Sequence, residues 1–287
     1  MQASTPSRTA LATAFTRALH TRIDDAPLVC NDQLAFELLP AYQRRFIQRL
    51  SMLSQPWVRR YRQRRDMVTA MRAQVVVRAR YAEDALSEAR SAGATRYIVL
   101  AAGLDTFGLR QSAPAIDVLE IDHPATQRWK RELLIGTGMA IPENLSFLPV
   151  DFERQTLSEH WIDNADPDFI SWLGATYYLS EAAIKATLTT LAERTRPGSR
   201  LVLDYWREPP ATDPGSWLLW GTRIAVAAQQ EPMRSFFDPA EIATLAETAG
   251  WQVRENLTPD EQNERYLADR SDGLRVPSFA HLLQLTH

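Results

Sequence analysis

The sequence has very little cysteine and lysine and no long apolar stretch. Its 287 residues include a single cysteine, Cys30, which excludes an internal disulfide and a metal cluster built from cysteines. We interpret Cys30 as a small core residue. Lys130 and Lys185 are the only lysines, so arginine carries almost all of the positive charge. No segment reaches the ~20 apolar residues that a membrane helix needs, and we therefore expect no membrane partner.

The remaining composition is that of an ordinary globular protein. Hydrophobic residues make up 45% of the chain and charged residues 23%, and the net charge is −3. This charge gives no general attraction to nucleic acid or to membranes. The first residues, MQASTPSRTALATAF, contain neither a basic leader nor a long apolar run. We therefore expect no signal peptide and a cytoplasmic location.

One segment departs from the acidic average. Residues 57–65, WVRRYRQRR, contain five arginines, with Trp57 and Tyr61 between them. Basic and aromatic residues in alternation can form a nucleic-acid footprint, but they can also be the solvated face of a helix. Because the chain as a whole is acidic, we favour the solvated helix and expect no nucleic-acid partner.

The first ninety residues are predicted to be helical. Apolar residues recur at helical spacing from Leu34 to Leu53 and again from Met67 to Leu86. Gly93 is suited to end the last of these helices. We therefore predict a helical N-terminal extension over residues 1–93, with helices over residues 9–20, 33–53 and 66–92.

Strands and helices alternate from residue 94 to the end of the chain. This alternation predicts an α/β fold with a mostly parallel sheet and helices on both faces. We predict seven strands, the last two a hairpin at the sheet edge, over residues 97–101, 116–121, 146–150, 168–173, 200–205, 251–256 and 279–285. Helices are predicted between them over residues 124–135, 155–160, 181–194 and 239–249.

Two long connections interrupt this domain. A cap-like insertion at about residues 206–238 contains Trp206, Trp217 and Trp220, which either line an acceptor pocket or belong to the core. The connection over residues 258–278 is long enough to suggest a functional loop. We predict that residues 94–287, with this insertion, form one compact unit together with the N-terminal extension.

A glycine turn between the first two strands indicates a nucleoside-binding site. The strand that ends at Ala101 continues into Ala102 and Gly103, and the next strand ends on Glu120 and Asp122. Glycine lets the backbone approach a ligand, and a carboxylate at a strand end can accept hydrogen bonds from ribose hydroxyls. A single glycine without a run of amides at a helix start would hold a pyrophosphate poorly. We therefore expect S-adenosylmethionine as the cofactor, and no metal.

The segments around this turn have distinctive sequences. They read RARYAEDAL at 78–86, AAGLDT at 101–106, LEIDHPATQRWKRELL at 119–134, FLPVDFE at 147–153, FISWLGATYYLSEAA at 169–183, PGSRLVLDY at 197–205 and NERYLADRSDGLR at 263–275. In this order they resemble the leucine carboxyl methyltransferase family, and more narrowly its bacterial branch of S-adenosylmethionine-dependent O-methyltransferases. The resemblance covers nearly the whole chain and implies a class I methyltransferase fold, which is Rossmann-like with a seven-stranded sheet.

The resemblance also implies which residues bind the cofactor. Ala101, Gly103 and Asp105 match the turn beside its methionine portion. Asp122 matches the acid that holds the ribose hydroxyls, with Glu120 beside it. The remaining matches are Asp151 and Phe152 at the adenine, and Arg78 at the cofactor carboxylate, with Arg80 as the alternative.

One departure from the family pattern concerns the end of the fourth strand. The carboxyl methyltransferases of the protein-phosphatase kind have an acid there, whereas this chain has Leu173 and Gly174. The resemblance therefore implies that the contact at Leu173 is made by a backbone group or is missing. This puts activity on a protein C-terminus in doubt.

Possible acceptor-binding residues follow the fourth strand and lie in the late connection. Tyr177 and Tyr178 occupy positions where class I enzymes place groups that face the acceptor. Tyr266 and Arg270 could form part of a lid, with Arg270 pairing with an anionic acceptor. Each of these residues could equally have a structural role.

The sequence assigns no catalytic residue. None of the histidines has a context that indicates a base, and an ionised acceptor oxygen needs none. We expect methyl transfer to a carboxylate or hydroxyl of a small molecule, in secondary metabolism. Carboxyl methylation of a protein C-terminus, or a non-catalytic cofactor- or RNA-binding role, are the alternatives. The sequence does not indicate an oligomeric state.

Overall fold

The computed structural model describes residues 7–53, 67–111, 115–152, 154–228 and 232–287. The basic segment at 57–65 lies outside the described residues, so its predicted helix stays a prediction. Within the described part, no helix is long and apolar enough to cross a membrane.

A single seven-stranded sheet forms the centre of the fold, with the strand order β3-β2-β1-β4-β5-β7-β6. Its strands are β1 (Arg96–Leu100), β2 (Asp117–Asp122), β3 (Leu145–Pro149), β4 (Asp168–Trp172), β5 (Arg200–Trp206), β6 (Gln252–Leu257) and β7 (Ala280–Thr286). The first five strands are parallel, and β7 is antiparallel to both β5 and β6. The predicted seven-stranded, mostly parallel sheet is confirmed. The last two strands do pair at the edge, but a helix lies in the chain between them, so they are not a simple hairpin.

Nearly every position of the central strands β1, β4 and β5 is buried, because helices cover both faces of the sheet. In β1, Tyr97 and Val99 belong to one core cluster, and Ile98 and Leu100 belong to the cluster on the opposite face. The outer strands β3 and β6 are partly exposed, as expected at the edges of a sheet.

The described helices are α1 (Arg8–Ile23), α2 (Leu34–Glu37), α3 (Ala41–Ser51), α4 (Met67–Ser91), α5 (Pro124–Thr137), α6 (Glu181–Arg194), α7 (Pro214–Ala227), α8 (Pro239–Thr248) and α9 (Pro259–Leu267).

Several helix predictions need correction. The helix predicted over residues 33–53 is wrong, because Pro40 lacks an amide hydrogen and its ring blocks the preceding turn, which separates α2 from α3. The helix predicted over residues 155–160 is a short 3₁₀ turn, Leu157–His160. Both long connections contain helices that the sequence analysis missed, α7 in the insertion and α9 in the late connection.

The N-terminal helix α1 packs over the carboxyl end of β1. Arg17 on α1 pairs with the buried Asp32 at 2.8 Å, and its Nη2 donates to the Leu104 carbonyl at 2.6 Å. Asp32 also accepts a hydrogen bond from Thr106 Oγ1 at 2.6 Å. The helix is thus attached to the turn that follows β1. The division into an extension and a methyltransferase domain stays a prediction.

Arg270 attaches the late connection to the N-terminal region. Its Nη1 donates to the Pro27 carbonyl at 2.6 Å and its Nη2 to the Asp25 carbonyl at 2.7 Å. The same guanidinium pairs with Asp272, which is 1% exposed. Burial alone would raise the pKa of Asp272, but the hydrogen bonds and charge of Arg270 hold this pKa below its usual value. The late connection is therefore fixed by a buried ion pair.

We predict that Asp272→Ala lowers the free energy of unfolding by about 3 kcal/mol, because Arg270 would be left buried without its partner. The matched control is Asp260→Ala, since Asp260 pairs with Arg275 on the surface, where the two side chains are 88% and 73% exposed. The control should change stability little. Urea unfolding of both variants measures the difference, and equal losses would contradict the role given to the Arg270 pair.

Candidate functional site

A cavity of about 510 Å³ opens at the carboxyl ends of the first strands of the sheet. Its wall combines the exits of β1, β2, β3 and β4 with residues of α1 and α4. Every residue that the sequence predicts as a cofactor contact lies in this wall: Arg78, Ala101, Gly103, Asp105, Asp122, Asp151, Phe152 and Leu173. The structure thus brings together residues that are distant in the sequence.

The glycine turn is attached to the end of β2. One carboxylate oxygen of Asp122 accepts the Gly103 amide at 2.5 Å, and the other accepts the His123 amide at 2.5 Å. Gly103 has a φ of 54°, a conformation that glycine adopts without strain. A Cβ at this position would lie 3.1 Å from the Cβ of Ala10 on α1. Glycine therefore allows both the turn and the close approach of the N-terminal helix.

Asp105 and Glu120 differ in their surroundings. The carboxylate of Asp105, in the cavity wall, accepts the Phe107 amide at 2.7 Å. Glu120 points away from the wall and pairs with Lys130 at 2.5 Å, with both side chains 1% exposed. Burial raises the pKa of Glu120, although the ammonium of Lys130 acts in the opposite direction. Glu120 is thus a buried structural acid, and Asp122 is the acid of β2 that faces the cavity.

His123, Asp151 and Phe152 form another part of the wall. His123 Nδ1 accepts the Ala125 amide at 3.2 Å, which requires the proton of the neutral ring to be on Nε2. This Nε2 lies 3.7 Å from Asp151 Oδ2, and burial lowers the pKa of His123. The Phe152 ring lies 6.3 Å from the ring of Trp172. This part of the wall offers a carboxylate beside an aromatic ring, a combination suited to a nucleobase.

Arg78 extends from α4 toward the end of β4. Its Nη1 donates to Asp204 at 2.9 Å and to the hydroxyl of Tyr177 at 3.1 Å. Arg80, the alternative from the sequence, lies on the surface and pairs with Asp84 at 2.8 Å. The sequence analysis missed Asp204, although an acid inside the apolar run LVLDYW was a signal that could have found it.

The residues predicted to face an acceptor are separated by the structure. Tyr178 lines the cavity, whereas Tyr177 is buried behind it and holds Arg78. Tyr266 is outside the wall, and its hydroxyl donates to Asp84 at 3.3 Å. Arg270 is also outside the wall, because its guanidinium is used by the buried pair with Asp272. The lid predicted for Tyr266 and Arg270 has no support in this arrangement.

The tryptophans of the insertion do not line the cavity either. Trp206 is a core residue that packs on Tyr177 and Phe279, with ring centroids 4.3 and 4.6 Å apart. Trp217 and Trp220 lie on the surface of α7 and are 74% and 61% exposed. Of the two alternatives from the sequence, a place in the core is thus correct for Trp206. A place in an acceptor pocket is not supported for any of the three tryptophans.

The cavity contains residues that the sequence analysis did not identify. Ser7, Thr9, Ala10, Thr13 and Arg17 of the N-terminal region line it, and so do Val75, Ala79, Leu179, Pro232 and Arg234. The backbone before α8 is held against the segment that follows β4, since the Arg234 amide donates to the Tyr177 carbonyl at 2.7 Å. Ser235 Oγ donates to the Leu179 carbonyl at 2.6 Å. Arg234 therefore projects from a fixed backbone.

Comparison with known proteins agrees with this fold. The family model described as leucine carboxyl methyltransferase matches residues 10–192. The chain belongs to the leucine carboxyl methyltransferase family. A protein of Bacillus subtilis, YktD, is classed as an S-adenosyl-L-methionine-dependent methyltransferase. It is 31% identical to this chain in an alignment 300 residues long, which includes 99% of this chain and 98% of that protein. The chain is thus an S-adenosylmethionine-dependent methyltransferase with the class I fold.

Further relatives match over shorter stretches. A Mycobacterium tuberculosis protein of the same class is 32% identical over 140 residues, which are 47% of this chain and 45% of that one. Among solved structures, an O-methyltransferase family protein from Burkholderia thailandensis aligns with a TM-score of 0.47 and 13% identity, over 77% of this chain and 61% of its own. In the described part of the chain, no group of three or more metal-ligating side chains is arranged to hold a metal ion.

Proposed function

We propose that this methyltransferase transfers the methyl group to an oxygen of a small molecule, a carboxylate or hydroxyl, with carboxylate favoured. The observation that supports this most is the cavity itself. Asp122 and Asp151, which follow β2 and β3, line it, and Arg234 lines it together with Tyr178 and Leu179. The carboxylates suit the hydroxyls and base of a nucleoside, and the guanidinium of Arg234 suits an anionic acceptor.

In this proposal each polar residue of the wall has a defined contact with the cofactor. Asp122 accepts hydrogen bonds from the ribose hydroxyls, and Asp151 reads the adenine edge while Phe152 packs on the ring. Arg78 binds the carboxylate at the methionine end, next to Ala101, Gly103 and Leu173. The bound cofactor supplies an electrophilic methyl group on a sulfonium. The chain's own contribution is to align the acceptor oxygen and to exclude water, so proximity and orientation give most of the rate.

The presence of Arg234 in the cavity wall supports an anionic acceptor. Tyr178, Leu179 and Pro232 line the cavity as well. A guanidinium pairs with a carboxylate through two parallel hydrogen bonds, whereas it would repel an amine that is protonated at neutral pH. A carboxylate is ionised at pH 7 and needs no base. This agrees with His123 being the one histidine in the described wall, where it caps α5 and faces Asp151.

The alternatives from the sequence are outcomes that experiments can separate from this proposal. Carboxyl methylation of a protein C-terminus would require a long acceptor to enter the cavity. A non-catalytic or RNA-binding role would leave Arg234 without an acceptor to bind. The cytoplasmic location and the absence of a nucleic-acid or membrane partner stay predictions.

The assignment of Asp122 predicts a loss of cofactor affinity in Asp122→Asn. The binding of S-adenosylhomocysteine should weaken by about 1.5–3 kcal/mol, because a charge-assisted contact to the ribose is lost. Asparagine keeps one acceptor oxygen but faces one of the amides of Gly103 and His123 with a donor, so a thermal melt of the variant is measured to check that the fold survives. Asp117→Asn, at the exposed opposite end of β2, is the control. Calorimetry measures both variants, and an unchanged affinity in Asp122→Asn would exclude the ribose contact.

The acceptor class can be tested directly with the purified protein. Carboxylic acids, phenols, amines, thiols and a peptide with a free C-terminus are incubated with cofactor that carries a labelled methyl group. We expect label mainly on oxygen, with acids methylated faster than phenols. Label mainly on nitrogen or sulfur, or only on the peptide C-terminus, would refute the proposal.

Arg234 should then control the affinity for an acidic acceptor found in that screen. We predict that Arg234→Gln raises KM for this acceptor about tenfold or more and changes kcat little, since it removes a contact made equally in the ground and transition states. Arg223→Gln is the control, because Arg223 pairs with Glu208 at 2.8 Å outside the cavity wall. Equal effects of the two variants would show that Arg234 does not contact the acceptor.

A further inference from the structure

Asp204 stands out as a buried acid outside the cavity wall that contacts several elements behind it. It lies on β5 and is 1% exposed. Its Oδ2 pairs with Arg78 Nη1 at 2.9 Å, and its Oδ1 accepts the Gly174 amide at 2.6 Å. Its backbone carbonyl accepts Thr176 Oγ1 at 2.6 Å. Asp204 thus links β5, α4 and the exit of β4.

Gly174 provides a flat support for the same guanidinium. A Cβ at Gly174 would lie 2.7 Å from Arg78 Nη2 and 3.1 Å from Cζ, closer than side chains pack. Gly174 also has a φ of 76°, which a residue with a side chain adopts only at a cost. The guanidinium of Arg78 therefore lies against the backbone of Gly174, at a position that only glycine leaves open.

The contacts of Arg78 are divided between its two sides. Among the described residues, the hydrogen bonds of Arg78 all use Nη1, toward Asp204 and Tyr177. The side chain is 8% exposed and lines the cavity, so Nε and Nη2 are the groups left for a ligand there. A guanidinium has five N–H donors in a fixed planar fork, so holding Nη1 from behind fixes the direction of the others.

We propose that Asp204 and Gly174 are positioning residues for Arg78, and that they fix it in the orientation that binds the carboxylate of the cofactor. This inference rests on the proposed function, in which Arg78 makes that contact. Asp204 acts through Arg78 and touches no part of the cofactor. The charge of Asp204 keeps Arg78 in place. Burying a guanidinium without a partner would raise the free energy of the folded protein, so an unpaired Arg78 would move toward water.

A pair of ligands separates this positioning role from a merely structural one. S-adenosylhomocysteine has the amino-acid carboxylate, and 5′-deoxy-5′-methylthioadenosine has the same nucleoside without it. In Asp204→Asn the side-chain amide would face Arg78 Nη1 or the Gly174 amide, both of which are donors, so one contact is lost. We expect this variant to bind S-adenosylhomocysteine about tenfold more weakly and methylthioadenosine with unchanged affinity.

Three further variants complete the test. Asp168→Asn is the matched control, since Asp168 is an acid on β4 that is 1% exposed and pairs with Arg96 at 2.8 Å. It should lower the melting temperature without changing the ratio of the two affinities. Gly174→Ala should reproduce the selective loss through displacement of Arg78, and it covers the case in which Asp204→Asn does not fold. In an Arg78→Gln background, Asp204→Asn should leave the ratio of affinities unchanged.

The outcomes distinguish the inference from the function on which it rests. If Arg78→Gln lowers the affinity for S-adenosylhomocysteine selectively but Asp204→Asn and Gly174→Ala do not, the positioning role is overturned and the role of Arg78 stands. If Asp204→Asn weakens the binding of both ligands equally, the positioning role is also overturned, because a residue with a purely structural role would have that effect. If Arg78→Gln leaves the ratio unchanged, the contact between Arg78 and the cofactor carboxylate is wrong, and the positioning role with it.

Discussion

The carboxylate of Asp122 accepts the backbone amides of Gly103 and His123, and the shape of the cavity depends on this contact. It joins the exit of β1 to the exit of β2, so the turn after β1 cannot move relative to the acid. The same turn is held from above by α1, through Arg17 and the close approach of Ala10 to Gly103. One carboxylate therefore both shapes the turn and faces the cavity, and a mutation at this position affects both.

Two of the arginines in the cavity wall are each paired with an acid outside it. Arg17 pairs with Asp32 and Arg78 with Asp204, and both acids are 1% exposed. An ion buried without a partner would be strongly destabilising, so each arginine needs its acid to be kept inside the protein. The pairs leave some of the N–H groups of the arginines directed to the cavity. The outer acids thus allow guanidinium groups to line a cavity inside the protein.

The sequence was most informative where function depends on local chemistry. The glycine turn, the acids at strand ends and the alternation of strands with helices predicted the fold and part of the cavity wall correctly. The errors came from residues whose role depends on distant partners. Tyr177 and Arg270 have side chains that suit an acceptor, but one holds Arg78 and the other pairs with Asp272. Pro40 was a local signal that was overlooked in the N-terminal helices.

The sequence by itself determined the strands, the turn after β1 and the acids that end β2 and β3. These features follow from backbone periodicity and from the conformational freedom of glycine, which act over a few residues. Only the tertiary structure decided that α1 covers the cavity and that Asp204 supports Arg78 from 126 residues away. Which of several acids lies beside a given arginine is set by how helices pack on the sheet, and that packing depends on the whole core at once.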